Sequence, residues 1–391
     1  MEAFIFDAVR TPRGKARPDA PMAAVPPANL VAQLAGALEQ RVTGAVAEAG
    51  ALILGCVTQV GAQGGNIALV SKLKAGLADR TAAISVNNYC VSGLSAVGMA
   101  ATRVAAGTDR AVLAGGVEHM SLVSMMGDKA TYYRDMELPA RIRFIPVAVA
   151  ADRLAAKWGV TRDMLDAATF ASQDKAATAE ANSAFSKSRI PVRGADGVVV
   201  LETDECIRAT TPEKLALIEP AFGEMIAASV ALLDGESVEP LHSFAHAPPM
   251  CDAAGLVLVG GRDAFATAPR ARVVAFAELG ADPHASLTAG FASMDECLGR
   301  AGLTIDDMDR IEFMEAFGVT VARFLRDYPV DPAKVNVAGG HLARGHPLGA
   351  SGAILVSSLL DALDECGGRY GLVVCAGGSG VGAAMVVERE G

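Results

Sequence analysis

The sequence predicts an α/β protein in which strands and helices alternate within two similar halves. Of the 391 residues, 51% are hydrophobic and only 5% are aromatic, and 41 are glycine. Small side chains allow helices to pack closely on sheets, as they do in α/β folds. Short apolar runs alternate with Ala-rich helical patterns over the first ~120 residues, and the same plan returns over the last ~120.

In the first half, the apolar runs 3–6, 51–57 and 110–116 predict strands, and the last of these ends in a glycine pair. Segment 92–106 predicts a helix, because small residues line one side of its 3.6-residue pattern and apolar residues the other.

The second half repeats this plan. Runs 272–276, 311–314, 371–375 and 383–388 predict strands, and 349–363 predicts a helix rich in small residues. The similarity lies in the order of elements and not in sequence identity, so it indicates a weak internal duplication.

The segment between the halves, 122–247, has a different character. It is richer in charged residues, Met and Ser, and it contains amphipathic helical patterns at 152–158 and 162–181. Thr211 before Pro212 predicts a further helix start, with threonine as the N-cap and proline at the first helical position. We expect 122–247 to form a loop domain that lies over the two halves.

Charge and cysteine content exclude several classes of function. A net charge of -10 argues against general binding to nucleic acid or to an anionic membrane. The seven cysteines are scattered without a CxxC pair, so we expect neither a disulfide framework nor a metal site. The sequence has no secretory leader pattern at residue 1 and no membrane-spanning run, which predicts a cytoplasmic protein.

Cys90 lies in the segment NNYCVSGLSA, where a strand should end and a helix begin. The N-terminus of a helix stabilises a thiolate and lowers the pKa of the thiol, so this cysteine is a candidate nucleophile. The small residues around it allow a ligand to approach the backbone. A buried structural cysteine is the alternative interpretation.

Two further segments carry candidate proton-transfer groups. His346 lies in GHPLGASG, where proline fixes the backbone and the glycines permit a tight turn into a helix. It is a candidate base or oxyanion donor, the alternative being a turn histidine. Cys375 ends a strand and precedes AGGSGVG, whose N–H groups can bind an anion; it could equally be a core cysteine.

With these three segments, the chain resembles the thiolase family over essentially its whole length. The opening segment 7–15 (DAVRTPRGK) looks like the thiolase N-terminus. Segment 115–120 (GGVEHM) looks like the end of the first half, and 336–340 (NVAGG) leads into the Gly-His-Pro motif as it does in thiolases. The order and spacing of these motifs are specific for the superfamily.

The resemblance implies a role for each motif residue. Cys90 would carry the acyl group, His346 would activate it, and Cys375 would exchange the proton at the α-carbon of the second acyl-CoA. The N–H groups of Cys90 and Gly377 would form one oxyanion hole. Coenzyme A would be a substrate or product, and the family uses no bound cofactor.

The resemblance also implies a fold and a domain division. We expect a five-layered αβαβα sandwich that forms a homodimer or homotetramer. Residues 1–121 would form the N-terminal half, to which 248–269 return. The loop domain would span 122–247 and cover the acyl-CoA site, and 270–391 would form the C-terminal half.

One motif departs from the family pattern. The family carries Asn-Glu-Ala-Phe where this chain has Met314, Glu315, Ala316 and Phe317. The asparagine normally holds a water that serves the enolate oxyanion hole with the histidine. A thioether is a weak acceptor and no donor, so Met314 cannot do this. Either His346 acts alone, another group compensates, or the site no longer condenses substrates.

The expected coenzyme A segments are altered as well. Glu219 stands where the family has a basic residue before Pro-Ala-Phe, and an acid is unfavourable beside phosphates. Pro248 aligns near the usual serine, which removes a contact to pantetheine. We therefore name Phe317, Pro248, Glu219 and His246 as candidate substrate-contacting residues. His246 and His341 are candidates to replace the missing donor.

The resemblance leads to three hypotheses. The first is an acyltransferase that cleaves or forms 3-ketoacyl-CoA thioesters through acyl-Cys90. The short loop between Met120 and Val147 favours the degradative 3-ketoacyl-CoA type over the acetoacetyl-CoA type. The second is a weakly active protein of the same fold that binds acyl-CoA or a partner protein. The third is a specialised thioester-condensing enzyme.

Overall fold

The structure is a computed structural model that describes residues 2–233 and 235–391. Its strands are β1 Phe4–Arg10, β2 Gly14–Lys15, β3 Ala49–Gly55, β4 Ala82–Val86, β5 Ala111–Glu118, β6 Val192–Arg193, β7 Val199–Leu201, β8 Cys251–Gly260, β9 Ala271–Gly280, β10 Arg310–Phe313, β11 Tyr370–Gly377 and β12 Val381–Arg389. Its α-helices are α1 Pro27–Arg41, α2 Ile67–Lys74, α3 Ser92–Ala105, α4 Val147–Trp158, α5 Arg162–Ala181, α6 Pro212–Ala216, α7 Gly223–Ala228, α8 Ala289–Ala301, α9 Gly318–Asp327, α10 His341–Arg344 and α11 Ser351–Cys366.

The two halves build their sheets in the same order. The N-terminal half pairs its strands as β4-β3-β5-β8-β1, and the C-terminal half as β10-β11-β12-β9. An isolated parallel bridge joins Ile311 of β10 to Val335 and corresponds to the pairing of β3 with β4. This mirrored order confirms the two similar halves predicted from the sequence.

The two sheets meet along a short seam between β1 and β9. Only Phe4 and Ile5 pair across it, with Arg272 and Ala271 respectively. β8 lies inside the N-terminal sheet, antiparallel to both β1 and β5. The chain therefore returns to its first half after the middle segment before it starts the second.

Helices α3 and α11 form a central layer because each contacts strands of both sheets. α1 and α2 cover the outer face of the N-terminal sheet, and α8 packs on β9, β11 and β12 on the far side of the C-terminal sheet. This arrangement is the expected αβαβα sandwich. The larger apolar core surrounds α3 and α11, and a second core lies beneath α1.

The middle segment supplies α4 to α7 and the hairpin β6-β7. α5 begins and ends where the sequence predicts, with Thr161 as its N-cap. Thr211 caps α6 by accepting from the N–H of Lys214, as expected from Thr-Pro. α4 and α5 pack on α9, which places this segment against the C-terminal half.

Candidate active site

Cys90 lies in the connection between β4 and α3, two residues before the first residue of that helix. Tyr89 adopts a left-handed conformation with φ of 47°, which turns the chain sharply at this point. Gly377 fits against Cys90 so closely that a Cβ there would lie 3.3 Å from the Cys90 nitrogen. The end of β11 and the candidate nucleophile are therefore in direct contact.

The Cys90 thiol is neutral at rest, which differs from the sequence-based expectation. Burial raises the pKa of Cys90 to about 12, although a hydrogen bond from the Gly378 backbone lowers it in part. The buried carboxylate of Glu118 raises the pKa further. Loss of hydration therefore outweighs the favourable end of α3.

His346 occupies the turn between α10 and α11. Its ring Nδ1 lies 2.8 Å from the hydroxyl of Ser351 on the first turn of α11. Its backbone N–H donates to the carbonyl of Pro249 at 2.8 Å. Its buried Nε2 has no partner among the described residues. One nitrogen is thus held in place while the other is free to exchange a proton.

Burial also keeps this imidazole neutral. It lowers the pKa of His346 to about 3, and the charge of Arg13 lowers it further. A neutral imidazole can accept a proton from the Cys90 thiol. Leu348, two residues after His346, packs in the same small apolar cluster as Cys90, which brings the two segments together.

Close packing of α3 on α11 fixes these segments relative to each other. A Cβ on Gly93 would lie 2.7 Å from the carbonyl oxygen of Gly349. A Cβ on Gly352 would lie 2.3 Å from the Leu94 nitrogen. The absence of these side chains lets the two helix starts touch, so the loops that carry Cys90 and His346 meet.

Cys375 lies on β11 opposite Ala383 of β12 and is fully buried. Burial raises the pKa of its thiol well above the usual value, and the neighbouring Cys90 raises it further. Cys375, Gly377 and Cys90 therefore line one end of β11.

Met314 follows β10 and is buried next to β11. Its N–H donates to the carbonyl of Val374 at 2.8 Å. The adjacent Glu315 accepts from the N–H of Leu342 and from Ser172 and Asn336 side chains, at 2.7 to 2.9 Å. This carboxylate ties the altered Met314 segment to α10, just upstream of His346.

The candidate substrate-contacting residues form a second corner of the site. Phe317 packs edge-on against Phe222 at 6.1 Å and His242 at 5.8 Å. The Gly318 N–H donates to the carbonyl of His246 at 2.8 Å. Pro248 is half-buried beside Pro249, which joins this corner to His346. Glu219, in contrast, is exposed to solvent.

His246 has both ring nitrogens engaged. Its Nδ1 accepts from the Ser243 N–H at 3.0 Å, so its Nε2 carries the proton and donates to Asp166 at 2.7 Å. Burial lowers the pKa of His246 to about 4. Its hydrogen bonds are directed into the protein.

His341 differs from His246 in this respect. It is fully buried, and neither ring nitrogen has a partner among the described residues. Its ring lies 5.0 Å from that of His346 and perpendicular to it. Burial lowers the pKa of His341 well below the usual range.

Sequence reasoning missed three residues that shape this site. Ser351 belongs to the same motif as His346, but the motif alone does not show that the two side chains are hydrogen-bonded. The position of Ser351 in the first turn of the next helix is the signal that could have indicated this contact. Glu118 accepts from the N–H groups of Val57, Thr58 and Gly349. An acid inside an apolar strand could have indicated that role. Arg13 is almost completely buried.

The arrangement is suited to acyl transfer without a metal. It offers a thiol, a neutral imidazole with one free nitrogen, a second thiol and a glycine-rich strand end, close together. No group of three or more metal-ligating side chains is found in residues 2–233 and 235–391. Within the same ranges, no helix is long and apolar enough to cross a membrane.

Comparison with known proteins gives consistent matches along the chain. The thiolase N-terminal domain model matches residues 3–234, and the thiolase C-terminal domain model matches 267–389. A steroid 3-ketoacyl-CoA thiolase of Mycobacterium tuberculosis is 31% identical over 99% of this chain and 94% of its own length. A beta-ketoadipyl-CoA thiolase of Acinetobacter baylyi is 33% identical over 99% of this chain and 99% of its own length. An acetyl-CoA acetyltransferase of Shinella zoogloeoides is 33% identical over 93% of this chain and 93% of its own length.

Proposed function

Because the chain belongs to the thiolase family and acts on acyl-CoA thioesters, we propose that Cys90 is the residue that carries the acyl group. The contact between Cys90 and Gly377 is the observation that supports this most strongly. Together with the hydrogen bond from the Gly378 backbone to the thiol, it supports the proposal that N–H groups at the β11 end stabilise the oxyanion of a tetrahedral intermediate.

In the cleavage direction, the Cys90 sulfur attacks the keto carbon of a 3-ketoacyl-CoA, and its proton passes to His346 Nε2. The Cα–C bond then breaks, its electron pair forms the enolate of acetyl-CoA, and Cys375 gives that carbon a proton. In the second half of the cycle, the thiol of free CoA gives its proton to the Cys375 thiolate and attacks the acyl group. Cys90 then leaves and regains its proton from His346. Because both Cys90 and His346 are neutral at rest, proton transfer accompanies sulfur attack.

Phe317 and the segment around Pro248 are proposed to contact the pantetheine arm. They line the corner next to His346, and Phe222 continues the apolar surface toward the exposed ring of Phe244. Glu219 is exposed, so its charge is hydrated and repels phosphate only weakly. An acid at this position is therefore compatible with coenzyme A binding.

The first experiment asks whether Cys90 forms the acyl adduct. Purified protein is mixed with 3-ketoacyl-CoA of several chain lengths without added CoA, and its intact mass is recorded. We expect one acyl adduct per chain that Cys90→Ala abolishes. Cys366→Ala is the matched control, since Cys366 is an exposed free thiol and should leave the adduct unchanged.

Failure to form an adduct with any chain length, in folded protein, would contradict the proposal. It would favour the alternative of a weakly active protein of this fold that binds acyl-CoA or a partner. Met314, buried and unable to donate a hydrogen bond, is the observation behind this alternative.

We further propose the degradative direction with substrates longer than acetoacetyl-CoA. The short loop between Met120 and Val147 supports it. Two of the relatives named above are called a steroid 3-ketoacyl-CoA thiolase and a beta-ketoadipyl-CoA thiolase, which also supports it. Thiolysis rates for acetoacetyl-CoA and longer homologues test this. A kcat/KM that is highest for acetoacetyl-CoA would contradict it.

A further inference from the structure

Arg13 is a buried cation without a carboxylate partner. Its Nη1 donates to the carbonyl of Gly345 at 3.3 Å, the residue directly before His346. Its buried Nε has no hydrogen-bond partner, and no carboxylate lies within ion-pairing distance of its guanidinium, in the described part of the chain. A buried charge left unpaired is unfavourable, so its presence beside His346 requires an explanation.

The nearby carboxylate of Asp204 is already occupied. It forms ion pairs with Arg10 at 2.9 Å and with Arg344. Arg344 is also paired with Glu180 at 3.2 Å. From Arg13 itself, Asp204 receives only the backbone N–H, at 2.8 Å.

The other ionisable groups that face Arg13 carry little negative charge. Burial raises the pKa of Glu312 on β10 to about 8, so this carboxyl is mostly protonated near pH 7. Burial keeps the Cys251 thiol protonated, because it raises the pKa well above the usual value. Burial likewise raises the pKa of the Cys206 thiol to about 11, so it too is protonated. His341 and His346, which also feel the charge of Arg13, are neutral imidazoles.

We propose that Arg13 is a positioning residue for His346 and that the uncompensated positive charge of Arg13 stabilises the enolate. This charge replaces the contribution that Met314 cannot make. The inference rests on the proposed function above. When acetyl-CoA acylates Cys90, Cys375 gives its proton to the departing CoA and becomes a thiolate. This thiolate then takes the α-proton of a second acetyl-CoA, and the C–H electron pair moves onto the thioester oxygen. Negative charge at this oxygen would be stabilised by the His346 Nε2–H and, through that residue, by the guanidinium behind it.

The physical argument is electrostatic preorganisation. A fixed charge in a poorly hydrated interior acts more strongly than the same charge in water and needs no reorientation during the reaction. His341 lies beside His346, and neither of its ring nitrogens has a partner in the described part of the chain. Met314 leaves His346 without a second donor, which makes the charge behind His346 more important.

The test separates enolate formation from acyl transfer. Enolate formation is measured as the exchange of the methyl protons of acetyl-CoA in D2O, and acyl transfer as the rate of the acyl-Cys90 adduct. We expect Arg13→Met to slow exchange by about 10- to 100-fold while adduct formation changes less than about 3-fold. Arg13→Lys should recover part of the exchange rate at pH 6, where the charge is retained.

Thermal unfolding is measured in parallel. Methionine removes an unpaired buried charge at similar length, so Arg13→Met should melt no lower than the wild type. If exchange is unchanged, if both rates fall equally, or if Arg13→Lys is no faster than Arg13→Met, the inference is wrong. If no adduct forms even in the wild type, it is the proposed function that fails.

A second experiment leaves Arg13 in place. As the pH rises through about 8, Glu312 ionises, and its negative charge offsets part of the positive charge of Arg13. The exchange rate of Glu312→Gln relative to the wild type should therefore increase several-fold between pH 7 and pH 9. Glu224→Gln, an exposed carboxyl on α7, is the control and should keep a ratio near one. A constant ratio for Glu312→Gln would contradict the inference.

Discussion

At the residue scale, burial determines the resting charge of the proposed catalytic groups. The thiols of Cys90 and Cys375 hold their protons, and His346 and His341 are neutral, because each has lost its hydration. Such a site stores no ion pair before substrate binds. Negative charge appears only during the reaction, when the cation of Arg13 and the donors of the β11 end are already in place.

The lowered pKa of His346 has a consequence for pH dependence. Its folded-state pKa of about 3 lies below the usual 6.5, so the imidazole stays neutral throughout the range between these values. We expect log kcat/KM to show no inflection near pH 6.5 that belongs to His346. Rates measured from pH 5 to pH 8 check this.

Stability should respond in the same pH range. The unfolded chain takes up protons on its histidines as the pH falls below 6.5, whereas buried His346, His341 and His246 do not. The contribution of these histidines to the free energy of unfolding is therefore fully present above pH 6.5 and is lost progressively as the pH falls toward 3. The melting temperature at each pH distinguishes this loss from a true catalytic ionisation. An activity limb at 6.5 without a change in melting would contradict the assignment.

Several residues at this scale were predictable and others were not. Cys90, His346, Cys375 and Met314 stand in glycine-rich or family-like motifs that identify them directly. Arg13 lies in such a motif too, but nothing in the sequence shows that its neighbours would leave it unpaired. That depends on Asp204, 191 residues away, being occupied by Arg10 and Arg344.

At the element scale, the crossing of α3 and α11 governs the site. The N-terminal turns of these two helices, one from each half, contact each other, and glycines at the contact allow their backbones to approach closely. The helix patterns of both were visible in the sequence because small and apolar residues alternate with the correct period. Their contact was not, since it joins segments more than 250 residues apart.

Gly352→Ala tests this crossing. The new Cβ would lie 2.3 Å from the backbone nitrogen of Leu94, so the helices must separate. We expect a loss of about 1–3 kcal/mol in the free energy of unfolding, together with a fall in activity as Cys90 and His346 move apart. Chemical denaturation and thiolysis rates measure both.

Gly36→Ala provides the matched control within α1. Gly36 is exposed, and a Cβ there meets nothing within 4 Å. Alanine is a better helix former, so this variant should be more stable by about 0.5–1 kcal/mol and fully active. Equal behaviour of the two variants would show that the crossing does not limit packing.

At the scale of the whole molecule, one edge of the sheet is left open. β4 ends the ten-stranded sheet on the N-terminal side and is only partly buried. Next to it, Leu69 and Leu73 of α2 are 40% and 65% exposed. An open strand beside apolar side chains suits pairing with an identical copy across a two-fold axis. We therefore propose a homodimer through this edge.

Leu73→Glu should weaken that dimer. A charge at the centre of an apolar contact is unfavourable on association but harmless on an exposed helix. We expect the mass from sedimentation to shift toward the 40.0 kDa chain at micromolar concentration. Leu217→Glu, on the 82% exposed Leu217 of the middle segment, is the control and should not change the mass. A wild-type monomer would contradict this proposal.

The two sheets meet only along the short seam between β1 and β9, yet the proposed catalytic side chains come from both halves of the chain. The proposed nucleophile, Cys90, belongs to the first half, while His346 and Cys375, the side chains proposed to transfer protons, belong to the second. Segment 261–269, which connects the halves, is mostly exposed and carries none of these groups. A chain nicked there would keep its activity only as long as the two fragments stay docked. Turnover would then report fragment complementation, which makes the two halves a natural split reporter.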